Sequence, residues 1–167
     1  MPAFREVKDA GDIGTVAGLA HEIWNEHFVP IIGQPQVDYM LARFQSASAI
    51  TGQINRGYFY YLIMSGEAPE GYFAIIPNPG EKSLQLSKLY VRKSMRGKGY
   101  GQASVRFVEC LCRQMGIQTI WLTVNKRNLG SIAVYIRMGF ANKGSLLMDI
   151  GNGFIMDDYR MEKTLTV

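Results

Sequence analysis

The run Leu84-Gln85-Leu86-Ser87-Lys88-Leu89-Tyr90-Val91, followed directly by Arg92-Lys93-Ser94-Met95-Arg96-Gly97-Lys98-Gly99-Tyr100-Gly101, is where this chain declares its architecture. Alternating apolar residues make the first half a strand with one buried face. The alternation breaks at Lys88-Leu89, as it would at a bulge. In the second half, glycines let the backbone approach a ligand closely while successive N–H groups point at it. Val105, Val108, Leu111, Cys112 and Met115 then recur at helical spacing, so a helix from about Gly99 to Met115 follows. Its first turn offers unpaired N–H groups and the positive end of the helix dipole. Strand, glycine loop and helix N-terminus in that order make a site for a phosphate-like anion.

Charge points to the same place. The 167 residues carry 18 Lys and Arg against 14 Asp and Glu, a net +4. Six of the bases, Lys82, Lys88, Arg92, Lys93, Arg96 and Lys98, fall in one acid-free stretch, and the remainder of the chain is slightly acidic. The basic character therefore belongs to one segment facing an anion, not to a surface spread for nucleic acid. The aromatic neighbours Tyr90 and Tyr100 come with no RRM, KH or helix-turn-helix pattern, so no nucleic-acid partner is expected.

Working outward, Phe4 to Lys8 reads as an edge strand. Asp9 or Asp12 caps a helix to about His27 with Ile13, Val16, Ala17, Ala20, Ile23 and Trp24 on one face. A second helix carries Val37, Met40, Leu41 and Phe44 to about Ser46, and a third runs from about Ser48 to near Gly57. Tyr58 to Met64 and Gly71 to Ile76 form a hairpin. Beyond the basic segment, Ile117 to Val124 is a strand, Asn128 to Met138 a helix closed by Gly139, and about Lys143 to Ile150 and Ile155 to Leu165 are final strands around Gly151-Asn152-Gly153. The order predicts an α/β domain with a mixed sheet and helices on both faces. No linker or repeat divides the chain, so residues 1–167 are read as one domain, with a variable part over 1–57 and a core over 58–167.

Several classes are excluded. No stretch approaches the roughly 18 apolar residues of a membrane span, and Met1 to Glu6 lack the apolar core of a signal peptide. A soluble, cytoplasmic protein without a membrane partner is the expectation. Cys110 and Cys112 lie two apart on a helix, point to different faces and read as small apolar residues, leaving no disulfide scaffold and no metal site. Gly97, Gly99 and Gly101 give G-x-G-x-G, which is neither the dinucleotide fingerprint nor a P-loop.

Arg96-Gly97-Lys98-Gly99-Tyr100-Gly101 does match R/Q-x-x-G-x-G/A, and Asn128-Leu129-Gly130-Ser131-Ile132-Ala133-Val134-Tyr135-Ile136-Arg137-Met138-Gly139-Phe140 matches N-x-x-[SA]-x-x-x-Y-x-[KR]-x-G-F at every specified position. In both motifs and their order the chain resembles the GNAT N-acetyltransferases, from about Tyr58 to Leu165. The resemblance implies the GNAT fold, a mostly antiparallel sheet of about seven strands splayed in a V, and acetyl-CoA as cosubstrate. It further implies that pantetheine bonds backbone near Leu89, Tyr90 and Val91, with a bulge N–H at Lys88-Leu89 facing the thioester oxygen. Arg96, Gly97, Lys98, Gly99, Tyr100, Gly101 and Gln102 would hold the pyrophosphate, with Asn125, Asn128, Ser131 and Arg137 as secondary contacts. Tyr135 matches the family's general acid toward the CoA sulfur.

The acceptor side is less constrained. Direct attack requires loss of a proton from an ammonium of pKa roughly 10. Ser87 and Lys88 stand where many relatives carry a glutamate, so this chain departs from that pattern. Glu26, His27, Asp157 and Asp158 come from segments that flank the acceptor cleft in relatives; Glu26, His27 and Asp157 are the expected substrate contacts, and any of the four is a candidate base. With Glu22 and Asp149 these acids suit a cationic amine, and the chain looks similar to bacterial acetyltransferases of polyamine type. A small primary amine is the expected acceptor. Protein or peptide N-termini, an amino acid or antibiotic amine, and a non-catalytic acyl-CoA-binding module are the alternatives. Exposed strand edges leave room for a homodimer.

Overall fold

The computed structural model describes residues 1–166. Its elements in chain order are β1 (Ala3–Glu6), α1 (Ala10–His27), α2 (Val29–Ile32), α3 (Gln34–Phe44), α4 (Ala47–Asn55), β2 (Phe59–Ser65), β3 (Ala68–Asn78), β4 (Ser83–Val91), α5 (Tyr100–Met115), β5 (Thr119–Asn125), α6 (Leu129–Arg137), β6 (Ala141–Gly151) and β7 (Phe154–Thr164). The strands form one seven-stranded mixed sheet in the order β1-β2-β3-β4-β5-β7-β6. The expected α/β sheet is thus present, with one short extra helix: Pro30 is tolerated in the first turn of α2, and Gly33 at φ 86° ends it before α3 begins.

By compactness the described residues divide into 1–76 with 88–108, and 77–87 with 109–166. In the first unit, β1, β2 and β3 pair antiparallel, with Tyr61 opposite Phe73 and Leu62 opposite Tyr72. Side-chain alternation then sorts the aromatics. Phe4, Tyr61 and Phe73 meet Phe107 of α5 on one face, at centroid distances of 4.7 to 6.1 Å. On the other face Tyr60 stacks on Tyr72, which meets Tyr90, and Tyr90 meets Trp24 and Phe28 near the end of α1. Each such burial contributes on the order of 2 kcal/mol. α1 starts where the sequence places it: the Asp9 carboxylate accepts the Asp12 N–H at 2.8 Å, a cap of about 1 kcal/mol.

In the second unit β5 pairs antiparallel with β7 along its whole length, and β7 pairs with β6. Parallel pairing of β4 with β5 is confined to Ser83–Gln85 against Thr119–Trp121, although β4 runs on to Val91 and β5 to Asn125. Ile120, Leu122, Val124 and Met161 are buried on one face of β5 and β7. Lys163, on that same face of β7, donates to Glu109 Oε1 of α5 at 2.5 Å and to the Met138 carbonyl at the end of α6 at 2.7 Å. A cation on the last carbonyls of a helix is favoured by its dipole.

Candidate active site

Burial alternates cleanly along β4 through Leu84, Leu86 and Lys88, and fades only at Leu89, Tyr90 and Val91. The sequence places the break at Lys88-Leu89; the first inward position to lose burial is Tyr90, because Lys88 keeps the inward position, its ammonium donating to the Phe44 carbonyl at 2.5 Å, Gln53 Oε1 at 2.9 Å and the Tyr60 hydroxyl at 2.5 Å. Tyr60 in turn donates to Gln53 Oε1. Burial lowers the Lys88 pKa from 10.5 to about 7.

The loop that leaves β4 is tied to α1 and β3. The Arg92 N–H bonds the Glu70 carbonyl at 2.8 Å, and the Arg92 guanidinium reaches Glu22 at 2.8 Å and Glu70 at 3.4 Å. Arg96 donates from Nε to the Val91 carbonyl at 3.0 Å and faces Glu26 at 3.2 Å. A 3-10 turn over Lys93–Met95 precedes Gly97 and Gly99, both at positive φ. The α5 ladder opens with the Ala103 N–H on the Gly99 carbonyl at 2.9 Å, so Tyr100, Gly101 and Gln102 occupy the first turn, whose amides have no intrahelical acceptor. Glu22 and Glu26, read from sequence as acceptor-side acids, are the counter-charges of this basic loop. Lys93 and Lys98 make no ion pair among the described residues. His27 sits edge-on to Phe28, with centroids 4.8 Å apart.

In the second unit, Asn125 ends β5 and its side chain accepts the Arg127 N–H at 2.9 Å, turning the chain into α6. Asn128 is buried, Ser131 half-buried and Arg137 exposed. Tyr135 lies three residues before the C-cap of α6, which ends in a complete Schellman closure: Phe140 N–H to the Tyr135 carbonyl at 3.0 Å and Gly139 N–H to the Ile136 carbonyl at 3.0 Å. Gly139 takes φ 97°, which only glycine adopts without strain. Burial pushes the Tyr135 phenol up to about 12. Tyr135, its cap and its helix thus form the block of residue types singled out in the sequence, with a structural reason for the Gly-Phe ending.

The family pattern described as Acetyltransferase (GNAT) family matches residues 19–140. The chain belongs to this family. Its relatives include N-acetyltransferase 8 of Rattus norvegicus, 32% identical over 127 residues, covering 72% of this chain and 57% of that protein. N-acetyltransferase 8B of the same organism is 31% identical over 121 residues, covering 68% of this chain and 54% of that protein. This GNAT chain spans about half the length of the curated relatives it matches. Among solved structures it is similar to the PaiA N-acetyltransferase of Thermoplasma acidophilum in complex with coenzyme A, with TM-score 0.79, 18% identity, and 98% and 99% of the two chains covered. It is also similar to a chimera that includes the spermidine N-acetyltransferase of Vibrio cholerae, with TM-score 0.73, 16% identity, and 98% and 95% covered.

Two acids adjacent in the GNAT chain separate sharply. Asp157 is exposed and pairs with Lys126 at 2.8 Å. Asp158 is 2% exposed, and its Oδ1 has no hydrogen-bond partner. Burial raises the Asp158 pKa to about 6, against a lowering by the Thr123 hydroxyl. Adjacent residues of a strand point to opposite faces, the one signal in the sequence that could have distinguished them. Cys112 is buried and Cys110 exposed, so only the first behaves as the expected core residue. Among the described residues no group of three or more His, Cys, Asp or Glu comes together as a metal site, and no helix is long and apolar enough to cross a membrane.

Proposed function

We propose that this chain is an acyltransferase domain that transfers the acetyl group of acetyl-CoA to a small primary amine by direct attack, with Tyr135 as general acid. The observation that carries the reading is the loop from Arg92 to Gly101. It combines clustered cations, two glycines at positive φ and the open first turn of α5. That donor set fits a pyrophosphate: point charges from Lys93 and Lys98, the Arg96 guanidinium, and backbone N–H groups of Gly97 through Gln102. Leu89, Tyr90 and Val91 would supply backbone partners to pantetheine, and Asn125, Asn128, Ser131 and Arg137 the secondary contacts. Acetyl-CoA when bound supplies the activated acyl group.

Tyr135 enters with its proton held firmly, since burial raises its pKa to about 12. It would give that proton to the departing sulfur. Glu26, His27 and Asp157 are read as acceptor contacts. A polyamine-like acceptor draws support from the solved chimera that includes a spermidine N-acetyltransferase. The two unpaired thiols suit a reducing compartment such as the cytoplasm. The test is calorimetric titration with acetyl-CoA, followed by thiol release across a panel of amines, amino acids and peptides. Saturable binding with release on small amines is expected. Activity on peptides alone would count against the acceptor class, and binding without release on any acceptor would favour a non-catalytic module.

A further inference from the structure

We propose that Asp158 is the catalytic proton acceptor of this reaction, the carboxylate that takes the proton from the incoming ammonium. The inference rests on the acetyl-transfer reading above and deepens it by naming a base. β7 holds Asp158 opposite Asn125 of β5 and Leu146 of β6. Thr123, two residues before Asn125, therefore shares its face, and the Thr123 hydroxyl acts to lower the pKa of the carboxyl. The opposite face of this strand pair carries Met161 and Lys163, and Lys163 contacts both α5 and α6 there. Asp158 consequently works from the face away from α6, the helix that bears Tyr135. Asp158 and the Lys163 contact to the end of α6 thus lie on opposite faces of this strand pair.

An ionisable oxygen buried with no partner is destabilising, and such a group calls for a reason. The neighbouring charges do not provide one. Lys126 is taken by Asp157, and Arg160 lies over the Trp121 ring and bonds Glu162. On β6 the facing residue is the apolar Leu146. Of the two adjacent acids, Asp157 is already neutralised at the surface and Asp158 alone retains an unmet lone pair. Its pKa of about 6 leaves it ionised at neutral pH yet basic enough to take a proton.

The step balances as follows. The R–NH3+ proton moves to the Asp158 carboxylate, and the freed nitrogen lone pair bonds the thioester carbon while the C=O π pair moves onto oxygen. Reforming C=O breaks C–S, with the bonding pair leaving on sulfur. Sulfur takes the Tyr135 proton, the phenolate recovers one from the acylated nitrogen, and Asp158 returns its proton to water. One amide, one thiol and one H+ result.

The test uses Asp158→Asn, nearly isosteric, and Thr123→Val, which keeps the carboxylate but removes the hydroxyl that lowers its pKa. Acetyl-CoA affinity is measured by calorimetry, and kcat/KM from pH 5 to 10 with a strongly basic primary amine. In the unsubstituted protein a limb near pH 6 should lead to a plateau. Asp158→Asn should bind acetyl-CoA normally, lose roughly 100-fold in kcat/KM at pH 7, and lose the plateau, its rate climbing with the free-amine fraction. Thr123→Val should shift the limb upward and remains informative if Asp158→Asn fails to fold. An unchanged limb in either folded variant, or loss of acetyl-CoA binding in Asp158→Asn, overturns the assignment. An unsubstituted chain that binds acetyl-CoA but transfers to no amine overturns the transfer reading, and the base with it.

Discussion

Phe140 donates its backbone N–H to the Tyr135 carbonyl at 3.0 Å, and its ring meets the Tyr135 ring edge-on with centroids 5.6 Å apart. One residue beyond the helix thus fixes both backbone and ring of a residue five positions earlier. The hinge of this arrangement is Gly139. An added Cβ there would sit 3.3 Å from Lys163 Cε, in a left-handed conformation that costs other residues about 1–2 kcal/mol. Gly139→Ala should lower stability by about that amount in urea unfolding. Turnover should fall several-fold more than acetyl-CoA affinity, because the cap aims Tyr135. Full turnover in a destabilised variant would detach the cap from catalysis.

Tyr135→Phe should keep the fold and acetyl-CoA binding while lowering turnover roughly 100-fold. The raised phenol pKa adds a pH signature. A group acting as an acid fails when it loses its proton, and burial moves that loss from 10.0 to about 12. The unsubstituted protein should show no alkaline limb near pH 10 in turnover at saturating amine. A limb there, absent from the Phe variant, would mean that the phenol is far less buried in the working enzyme.

The loop and the helix block were legible because their chemistry is local. A Schellman cap needs Gly and an apolar residue at fixed offsets, and an anion loop needs glycines beside a helix start. Lys88 was not, since its three acceptors come from α3, α4 and β2, far apart in sequence. The same distance hid the pairing of Glu22 and Glu26 with Arg92 and Arg96. In sequence those acids read only as acceptor-side charge; in the fold they also pair with the loop. Asp157 and Asp158 look alike in sequence and differ only once strand register is known.

Because Glu26 faces Arg96 at 3.2 Å with both side chains about a third exposed, it competes with any phosphate for that guanidinium. Such a pair is worth at most about 1 kcal/mol and is screened by salt. Glu26→Gln should therefore tighten acetyl-CoA binding by roughly 2- to 5-fold at low ionic strength, with the gain fading in high salt. Arg96→Ala should weaken binding by roughly 10-fold. Calorimetry at two salt concentrations checks both. Weaker binding in Glu26→Gln would mean that Glu26 positions Arg96 instead of competing for it.

Gly71 of β3 lies against the end of β4. A Cβ there would collide with the Tyr90 carbonyl oxygen and come within 3.1 Å of Val91 Cα. Both obstacles are backbone, so neither can rotate away. Gly71→Ala should displace Tyr90 and Val91, lower stability by about 1–3 kcal/mol and weaken acetyl-CoA binding, because these residues are the proposed pantetheine partners. Stability lost with affinity intact would move that contact elsewhere.

Lys88 makes stability depend on pH in a direction that can be worked out. Its three acceptors are neutral: they engage the ammonium N–H groups but do not cancel its charge, so burial lowers the pKa from 10.5 to about 7. Below pH 7 both folded and unfolded chains hold the proton, and the folded state carries the full cost of the buried charge. Between about 7 and 10.5 the unfolded chain holds a proton that the folded chain has released. Stability from this residue therefore rises with pH across that window, by up to about 1.4 kcal/mol per unit, and is lost again as pH falls through 7. Lys88→Met removes the slope and leaves the Phe44 carbonyl without this donor, a cost of about 1–3 kcal/mol at every pH. Urea unfolding of both proteins at pH 6.5, 7.5, 8.5 and 9.5, a series set by the two pKa values, should give a stability difference that grows with pH in favour of lysine. Parallel curves would mean that Lys88 stays protonated in the folded chain throughout, with its three acceptors outweighing burial.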